Sequence, residues 1–348
     1  MPRASSPLAI TYTSQSKLSE YNKYMSMTST YSSPEQTTPL LSFVMPAYKG
    51  QWLSSAVESI LAQTYTNIEL IVVNDCSPDD LDATMAQYDD PRIRYYHNKE
   101  NLGGKYLTKQ WEHCIQFARG EYLVIAADDD IYAPTFAEEC IRLAVEYPSA
   151  HLIRTCTRSV DEEGNELAVE RFVPEGSRLI SQLEYIYAYR EGHVFICMGN
   201  FVMRTSVLKE KGFVDFPRAL GSDIAMSIMM AECGVACTPK PLFSFRLSTV
   251  QLSGSKAHLE PKIEASTQFF EWVASYPIPQ PQNEQEVSYL QRLTYEDWRE
   301  KCVYDYFNMI IRYVSLAELP HYLKLARYAT PKEKAMMVLR YFKRRIFS

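Results

Sequence analysis

The 348-residue sequence contains no run of 18 apolar residues and no recognisable secretory signal. It therefore reads as a chain that neither spans a membrane nor is exported by its own sequence. It also lacks any C-x-x-C pair, and its eight cysteines follow no framework spacing. Cys233 and Cys237, one helical turn apart, read as free thiols of a reducing compartment rather than half of a zinc site. An excess of basic residues is missing too: the net charge of −6 gives no reason to expect nucleic acid. After the first apolar segment stands Pro46-Ala47-Tyr48-Lys49-Gly50 instead of G-x-G-x-x-G, which speaks against a dinucleotide oxidoreductase. The glycine-rich basic signature of a sugar nucleotidyltransferase is absent from the same place. What is present is ordinary for a soluble globular enzyme: 46% hydrophobic residues, 22% charged residues, and 25 tyrosines that suit half-polar surfaces.

The length suggests one large domain with an appendage. Residues 1–39, rich in Ser, Thr, Tyr and Pro, read as a disordered or loosely attached leader. From Leu40 apolar strands and amphipathic helices alternate. Residues 40–48 and 68–75 are strands, and between them Leu53, Ala56, Val57, Ile60 and Leu61 mark a helix. Ser77-Pro78-Asp79-Asp80 offers a cap and an N1 proline for the next helix. Residues 92–98 form a further strand, followed by a glycine turn and a helix carrying Leu107, Trp111, Cys114, Ile115 and Ala118. Residues 121–127 form the next strand. Such repeated strand–helix units imply an α/β fold, a mostly parallel sheet covered by helices on both faces. Residues 150–248 are less regular, with a hairpin at Glu163-Gly164-Asn165, a capping box at Ser181 and Glu184, a helix over 224–233 and a strand over 243–247. Beyond it, residues 258–272 read as a helix, 276–282 as a proline-rich linker, and the remainder as helical.

The strand of residues 121–127 runs directly into Asp128-Asp129-Asp130. Three adjacent carboxylates repel one another, and a hard divalent cation relieves this best. In parallel sheets ligands bind beyond the carboxyl ends of the strands. Pro46-Ala47-Tyr48, Asn74-Asp75, residues 98–104 and Asp128–Asp130 all fall at such ends, so four polar clusters converge on one cleft.

These residues carry a resemblance. FVMPAYKG, SILAQTYTNIELIVVNDCSPDD, NKENLGG, the strand ending in DDDIYAP, and GSDIAM together resemble the ordered motifs of the family-2 glycosyltransferases with a GT-A fold, over residues 41–252. The resemblance implies inverting transfer of a sugar from a nucleotide-sugar, with UDP- or dTDP-sugars favoured, to an acceptor hydroxyl, assisted by Mn2+ or Mg2+. It implies a Rossmann-like GT-A domain over residues 40–252, divided into a nucleotide-binding half (40–130) and an acceptor half (131–252), followed by a helical extension (253–348). Residue by residue, Asp75 matches the aspartate that hydrogen-bonds the base, and Tyr48, after Pro46-Ala47, lies where an aromatic can stack on it. Asn101, Gly103 and Gly104 form a turn into a helix N-terminus suited to phosphate, with Lys105 just inside as an added charge or a surface lysine. Asp129 and Asp130 match the end of a D-x-D-D pattern, with Ala127 in place of its first aspartate. In that register Asp130 is the direct metal ligand, Asp128 a second candidate, and Asp129 or Asp128 lies nearer the ribose.

Asp223 matches the general base, preceded here by Ser222 rather than the usual glutamate; its competing role is a helix cap. Arg246 stands in the Phe-Arg pair as a contact to the diphosphate, without the histidine that often follows. The rival reading is a non-catalytic nucleotide-sugar-binding or assembly protein on the same fold, which predicts loss of Asp75, the Asp triplet or Asp223; all are present. The expected acceptor is a saccharide or lipid-linked carrier in cell-surface polysaccharide, lipopolysaccharide or glycoconjugate assembly, at the cytoplasmic side.

The last helix opens at Thr330-Pro331-Lys332-Glu333, a capping box with proline at N1. Ala335, Val338, Leu339, Phe342 and Ile346 fall on one side of it, opposite Arg340, Lys343 and Arg344. From residue 321 to 348 eight Lys/Arg face a single Glu. Such a basic amphipathic helix either lies on an anionic membrane, making residues 330–348 a peripheral contact, or packs its apolar face on the catalytic domain.

Overall fold

A computed structural model describes residues 38–170, 175–248 and 259–347. The leader expected over residues 1–39 lies almost wholly outside them, as does the boundary placed at 252/253. Strand β1 (Leu41–Ala47) leads through α1 (Leu53–Leu61) to β2 (Ile68–Asn74), then α2 (Leu81–Met85), β3 (Ile93–His97), α3 (Leu107–Ile115) and β4 (Tyr122–Ile125). Next come β5 (Ile131–Tyr132), α4 (Phe136–Glu146), β6 (Leu152–Val160), β7 (Glu166–Val169), β8 (Arg178–Ile180) and α5 (Gln182–Arg190). They are followed by β9 (Phe201–Arg204), α6 (Thr205–Lys211), α7 (Ser222–Met230) and β10 (Val235–Arg246). Five helices close the chain: α8 (Leu259–Ser275), α9 (Glu284–Leu290), α10 (Tyr295–Tyr313), α11 (Leu319–Leu325) and α12 (Pro331–Phe347).

The strands form one mixed sheet in the order β3-β2-β1-β4-β9-β6-β10-β5, with β7 on β6 and β8 on β10. The first four strands are parallel, as expected. The other half departs from a mostly parallel sheet: β9 runs antiparallel to both β4 and β6, and only β6 and β10 are parallel there. The reason lies in the connections. Parallel neighbours need a crossover, whereas β6 and β7 are joined by the tight turn at Gly164, whose φ is 91°.

Both faces of the parallel block are buried, and the two-residue alternation sorts side chains between two cores. Phe43, Met45, Leu70 and Val72 enter the core under α1 and α4. Val44, Ile71 and Val73 enter the other, together with Trp111 and Cys114 of α3. That second core continues without a break into Ala265, Phe269 and Phe270 of α8 and Trp298 and Cys302 of α10, so the helical extension shares the interior of the catalytic domain. A third core holds the last helices together around Tyr306, Ile310, Tyr322, Met337 and Tyr341.

Two local expectations are corrected. The cap of α2 is Asp80, which accepts from Ala83 N at 3.0 Å, and not Ser77. Ser77 is engaged elsewhere: its Oγ donates to the Tyr48 carbonyl at 2.6 Å and accepts from Asp79 N. On α12 the capping box forms as read, but the apolar stripe is not the buried side. Met337 and Tyr341 are buried, with Tyr341 Oη donating to the Val314 carbonyl at 3.0 Å, while Ala335, Leu339 and Phe342 are exposed. Val338 is half-buried, and the Ile346 side chain lies outside the described residues.

Candidate active site

The register of the parallel strands sets the site. Ala47, Asn74 and His97 are aligned partners at one sheet edge, and the chain leaves β4 beside them through Ala126, which donates to the Val44 carbonyl at 2.8 Å. The next residues of each strand therefore meet. Asp128 Oδ2 accepts from Tyr48 N and from Lys49 N, both at 2.7 Å, which locks the β1 exit to the acidic turn. Lys49 Nζ forms an ion pair with Asp129 and lies 3.4 Å from Asp128 Oδ1. Burial opposes the Lys49 charge, but Asp128 and Asp129 outweigh it and hold its pKa above the ordinary lysine value. This lysine was not among the residues expected from the sequence. Its signal was only position, directly after the strand end that faces the acidic turn.

Asp130 lies deeper, 3% exposed, with Oδ1 accepting from Arg246 N at 3.0 Å. Burial, then the Asp129 charge, pushes its pKa well above the usual carboxylate range; Asp128 is raised for the same reasons, partly offset by Lys49. Arg246, also 3% exposed, is the bracket of the turn. Its Nε donates to the Asp129 carbonyl at 2.9 Å, its Nη1 to the carbonyls of Asp161 and Glu162 at 3.1 and 2.7 Å, and its guanidinium sits 5.3 Å from the Trp52 ring centroid. These donors are spent on backbone oxygens.

A divalent cation was expected here. Among the described residues no group of three or more His, Cys, Asp or Glu side chains is arranged to hold one. The donor set does fit an ion held chiefly by its substrate. Mg2+ typically takes one or two carboxylates plus phosphate oxygens, and Asp129, whose side chain bonds only Lys49 among the described residues, has lone pairs to give.

Asp75 is 3% exposed and anchors the loop of residues 98–104. Oδ1 accepts from Asn98 Nδ2 at 2.7 Å and Leu102 N at 2.9 Å; Oδ2 accepts from Gly103 N at 2.7 Å and, at a long 3.3 Å, from Asn101 Nδ2. A Cβ on Gly103 would stand 2.9 Å from Asp75 Oδ2, so only glycine fits there. Asn101 Oδ1 in turn accepts from Gly104 N at 2.7 Å. Cys76 follows Asp75 with φ of 53°, a strained conformation for a non-glycine residue. The Tyr48 ring is 44% exposed beside this edge. Lys105 is exposed, with its ammonium 4.9 Å from the Tyr106 ring centroid. Pro46 and Ala47 lie within β1 as its last residues, so they shape the floor through backbone.

Asp223 sits in the first turn of α7, and its own Oδ1 accepts from Ile224 N at 2.9 Å. Burial pushes its pKa up to about 6, against the pull of the Ile224 and Asp223 backbone N–H groups. The segment that presents it is tied to the loop of residues 98–104: Arg218 donates from Nη1 to the Gly104 carbonyl. The structure thus gathers Tyr48, Asp75, the 98–104 loop and the acidic turn at one edge, with Asp223 joined to them through Arg218.

This sheet and the helices around it define a GT-A type nucleotide-sugar fold. A solved structure of Staphylococcus aureus TarS, residues 1–349 with UDP-GlcNAc, superposes with a TM-score of 0.64 over 82% of this chain and 79% of that one, at 16% identity. Residues 42–212 match glycosyl transferase family 2, so the chain carries a glycosyltransferase domain of that family. Similar sequences include WcaA of Escherichia coli (strain K12), named for colanic acid biosynthesis as a glycosyl transferase, 38% identical over 102 residues. Another is glycosyltransferase GlyG of Streptococcus pneumoniae serotype 4, 37% identical over 131 residues. These matches cover 28% and 36% of this chain, and 36% and 42% of the two relatives, so it spans well under half of their length.

Proposed function

We propose that this chain transfers a sugar from a UDP- or dTDP-sugar to an acceptor hydroxyl, with inversion at the anomeric carbon, in the assembly of a cell-surface polysaccharide, lipopolysaccharide or glycoconjugate. The observation that carries the reading is the acidic turn folded onto the β1 exit, three buried carboxylates of which Asp128 and Asp129 face Lys49, beside Asp75 and Tyr48. The Tyr48 ring stacks on the base, and the base N3–H takes the place of the long 3.3 Å bond from Asn101 to Asp75. Asp128 orients the ribose side. Asp129, with Asp128 beside it, would hold Mn2+ or Mg2+, whose chemistry there is to neutralise a departing diphosphate. Asp129 replaces Asp130 as the direct ligand in this proposal, because Asp130 is buried beneath Arg246 N. Lys49 supplies a second positive charge to the same place. Arg246 acts through position, by bracketing the turn, rather than by touching phosphate.

Asp223 takes the proton of the acceptor hydroxyl while its oxygen attacks the anomeric carbon on the face opposite the leaving group. A carboxylate poised near pH 6 is mostly ionised at neutral pH and still basic enough to accept that proton. The test is turnover of UDP- and dTDP-sugars with Mn2+, read as nucleotide release and as the anomeric configuration of the product by proton NMR. Inverted product formed by the native protein, with nucleotide release lowered about 10²- to 10⁴-fold in Asp223→Asn, is the expected result. Retained configuration, or undiminished turnover in Asp223→Asn, contradicts the assignment.

The reading extends to where the enzyme works, at the cytosolic face of a membrane. Among the described residues no helix is long and apolar enough to cross one. The outer side of α12 instead combines Met336, Leu339 and Phe342, which are 40%, 71% and 42% exposed, with exposed Lys332, Arg340 and Lys343. Apolar side chains flanked by cations suit an anionic lipid surface, with each basic residue contributing about 1 kcal/mol. Leu339→Asp together with Phe342→Asp should abolish sedimentation with phosphatidylserine vesicles and leave that with neutral vesicles at background; undiminished sedimentation refutes the contact.

A further inference from the structure

Between α7 and the C-terminal helices lies a cavity of about 340 Å³. Gly221 and Ile224, the residues flanking Ser222-Asp223, form one side of it, and Tyr189 and Phe269 contribute aromatic walls. Lys262 of α8 and Asn308 and Arg312 of α10 complete it, all from beyond the matched family domain, which ends at residue 212. The cavity is within the size range of small-molecule sites and has their composition, apolar walls with a few polar groups.

Two of its lining side chains, Lys262 and Arg312, are basic. Lys262 is only 5% exposed, a rare state for lysine. Burial, then the neighbouring charge of Arg218, depresses its pKa. Arg312 is exposed, lies 5.7 Å from the Tyr313 ring centroid and has no carboxylate partner among the described residues. The one lining carboxylate, Asp305, already bonds Lys301 Nζ at 3.2 Å. The Tyr189 phenol stays protonated: burial, then the charge of Asp305, holds its pKa well above the ordinary range.

The segment joining the cavity to the donor side is conformationally strained. Arg218 and Ala219 have φ of 61° and 56°, and Gly221 has 89°. A Cβ on Gly221 would stand 3.2 Å from the Phe269 ring, so the backbone that delivers Asp223 is fixed against α8. The helical extension therefore positions the base as well as walling the cavity.

We propose that this cavity is an acceptor subsite selective for an anionic sugar, one bearing a phosphate or a carboxylate, which Lys262 and Arg312 hold while Asn308 and the aromatic walls seat the ring beside Asp223. The proposal rests on the transferase reading for its meaning but is tested apart from it. The probes are glucose 6-phosphate, glucuronate and neutral methyl glucoside, observed by ligand-detected NMR with UDP added at saturation to block the donor site. The variants are Lys262→Gln and Arg312→Gln; Arg312 is exposed, so its replacement leaves the fold intact even if the buried position does not tolerate change.

At least one anionic sugar should bind and the neutral glycoside should not, and the preferred anion identifies phosphate or carboxylate as the acceptor charge. Its affinity should fall about tenfold or more in Lys262→Gln and by about three- to tenfold in Arg312→Gln, as expected for loss of a charge-assisted hydrogen bond. Equal binding of the neutral glycoside, anion binding indifferent to both variants, or no anion binding each overturns the proposal. Failure to bind UDP counts against the transferase reading instead, since the dependence on Lys262 and Arg312 is measured separately.

Discussion

The half of the molecule that carries Asp75 and the acidic turn is built from four parallel strands whose ends lie in register. The half that carries Asp223 is built from antiparallel pairings, a hairpin and helices that arrive from the far end of the chain. The difference separates two tasks. In the first half, residues adjacent to strand ends are brought together by the sheet itself, so the proposed donor side is a property of one repeated unit. In the second, Asp223 is placed by a strained segment pinned between Gly104 and Phe269, so the acceptor side depends on residues more than a hundred positions apart.

The largest break in that comparison is Asp223→Asn. Loss of a general base typically removes about 10²- to 10⁴-fold of rate, and UDP affinity should be unchanged because no donor contact is lost. The pH profile carries the sign. With its pKa at about 6, Asp223 is ionised above that value and protonated below it, so kcat/KM should fall tenfold per unit as pH drops below about 6. The limb should vanish in the residual activity of Asp223→Asn. A limb that persists assigns the ionisation to another group.

A smaller effect concerns the helical extension. Trp298, 1% exposed on α10, lies in the same core as Trp111 of α3. Trp298→Ala should cost about 3–5 kcal/mol in a single cooperative urea transition. Two separate transitions, with the parallel half unaffected, would show that the extension is an independent unit. The smallest expected effect is Asp130→Asn, which keeps an acceptor for Arg246 N while removing a buried charge. Stability should rise or stay within about 0.5 kcal/mol, measured by the same urea titration. A loss of several kcal/mol would mean that the Asp130 charge is needed in the resting protein.

The contrast also explains what could be read from the sequence. The strand ends were legible to within two residues, read at Tyr48, Asp75 and Ala127 and found at Ala47, Asn74 and Ile125, because buried parallel strands are continuous apolar runs. The helix of Leu53, Ala56, Val57 and Ile60 was legible for its spacing, and all four are buried. The Lys49 pair with Asp129 was not, since it joins residues 80 positions apart and leaves no local pattern. The depth of Asp130 was equally hidden: three identical side chains in a row differ only by which way the turn faces them. On α12 the wheel found the apolar stripe correctly but not its destination, because the docking contact is made by Tyr341, whose hydroxyl reaches the Val314 carbonyl. The cavity beside Asp223 had no signature at all, being assembled from Tyr189, Lys262 and Arg312 on three separate helices.

The central claim is that the acidic turn receives the diphosphate of a nucleotide-sugar through Asp129. Calorimetric titration of UDP into the native protein, Asp129→Ala and Asp130→Asn, each with and without Mn2+, addresses it directly. The account predicts Mn2+-dependent binding in the native protein and in Asp130→Asn, and loss of the Mn2+ dependence in Asp129→Ala. Binding that keeps its Mn2+ dependence in Asp129→Ala but loses it in Asp130→Asn would contradict the account and move the ligand role to Asp130.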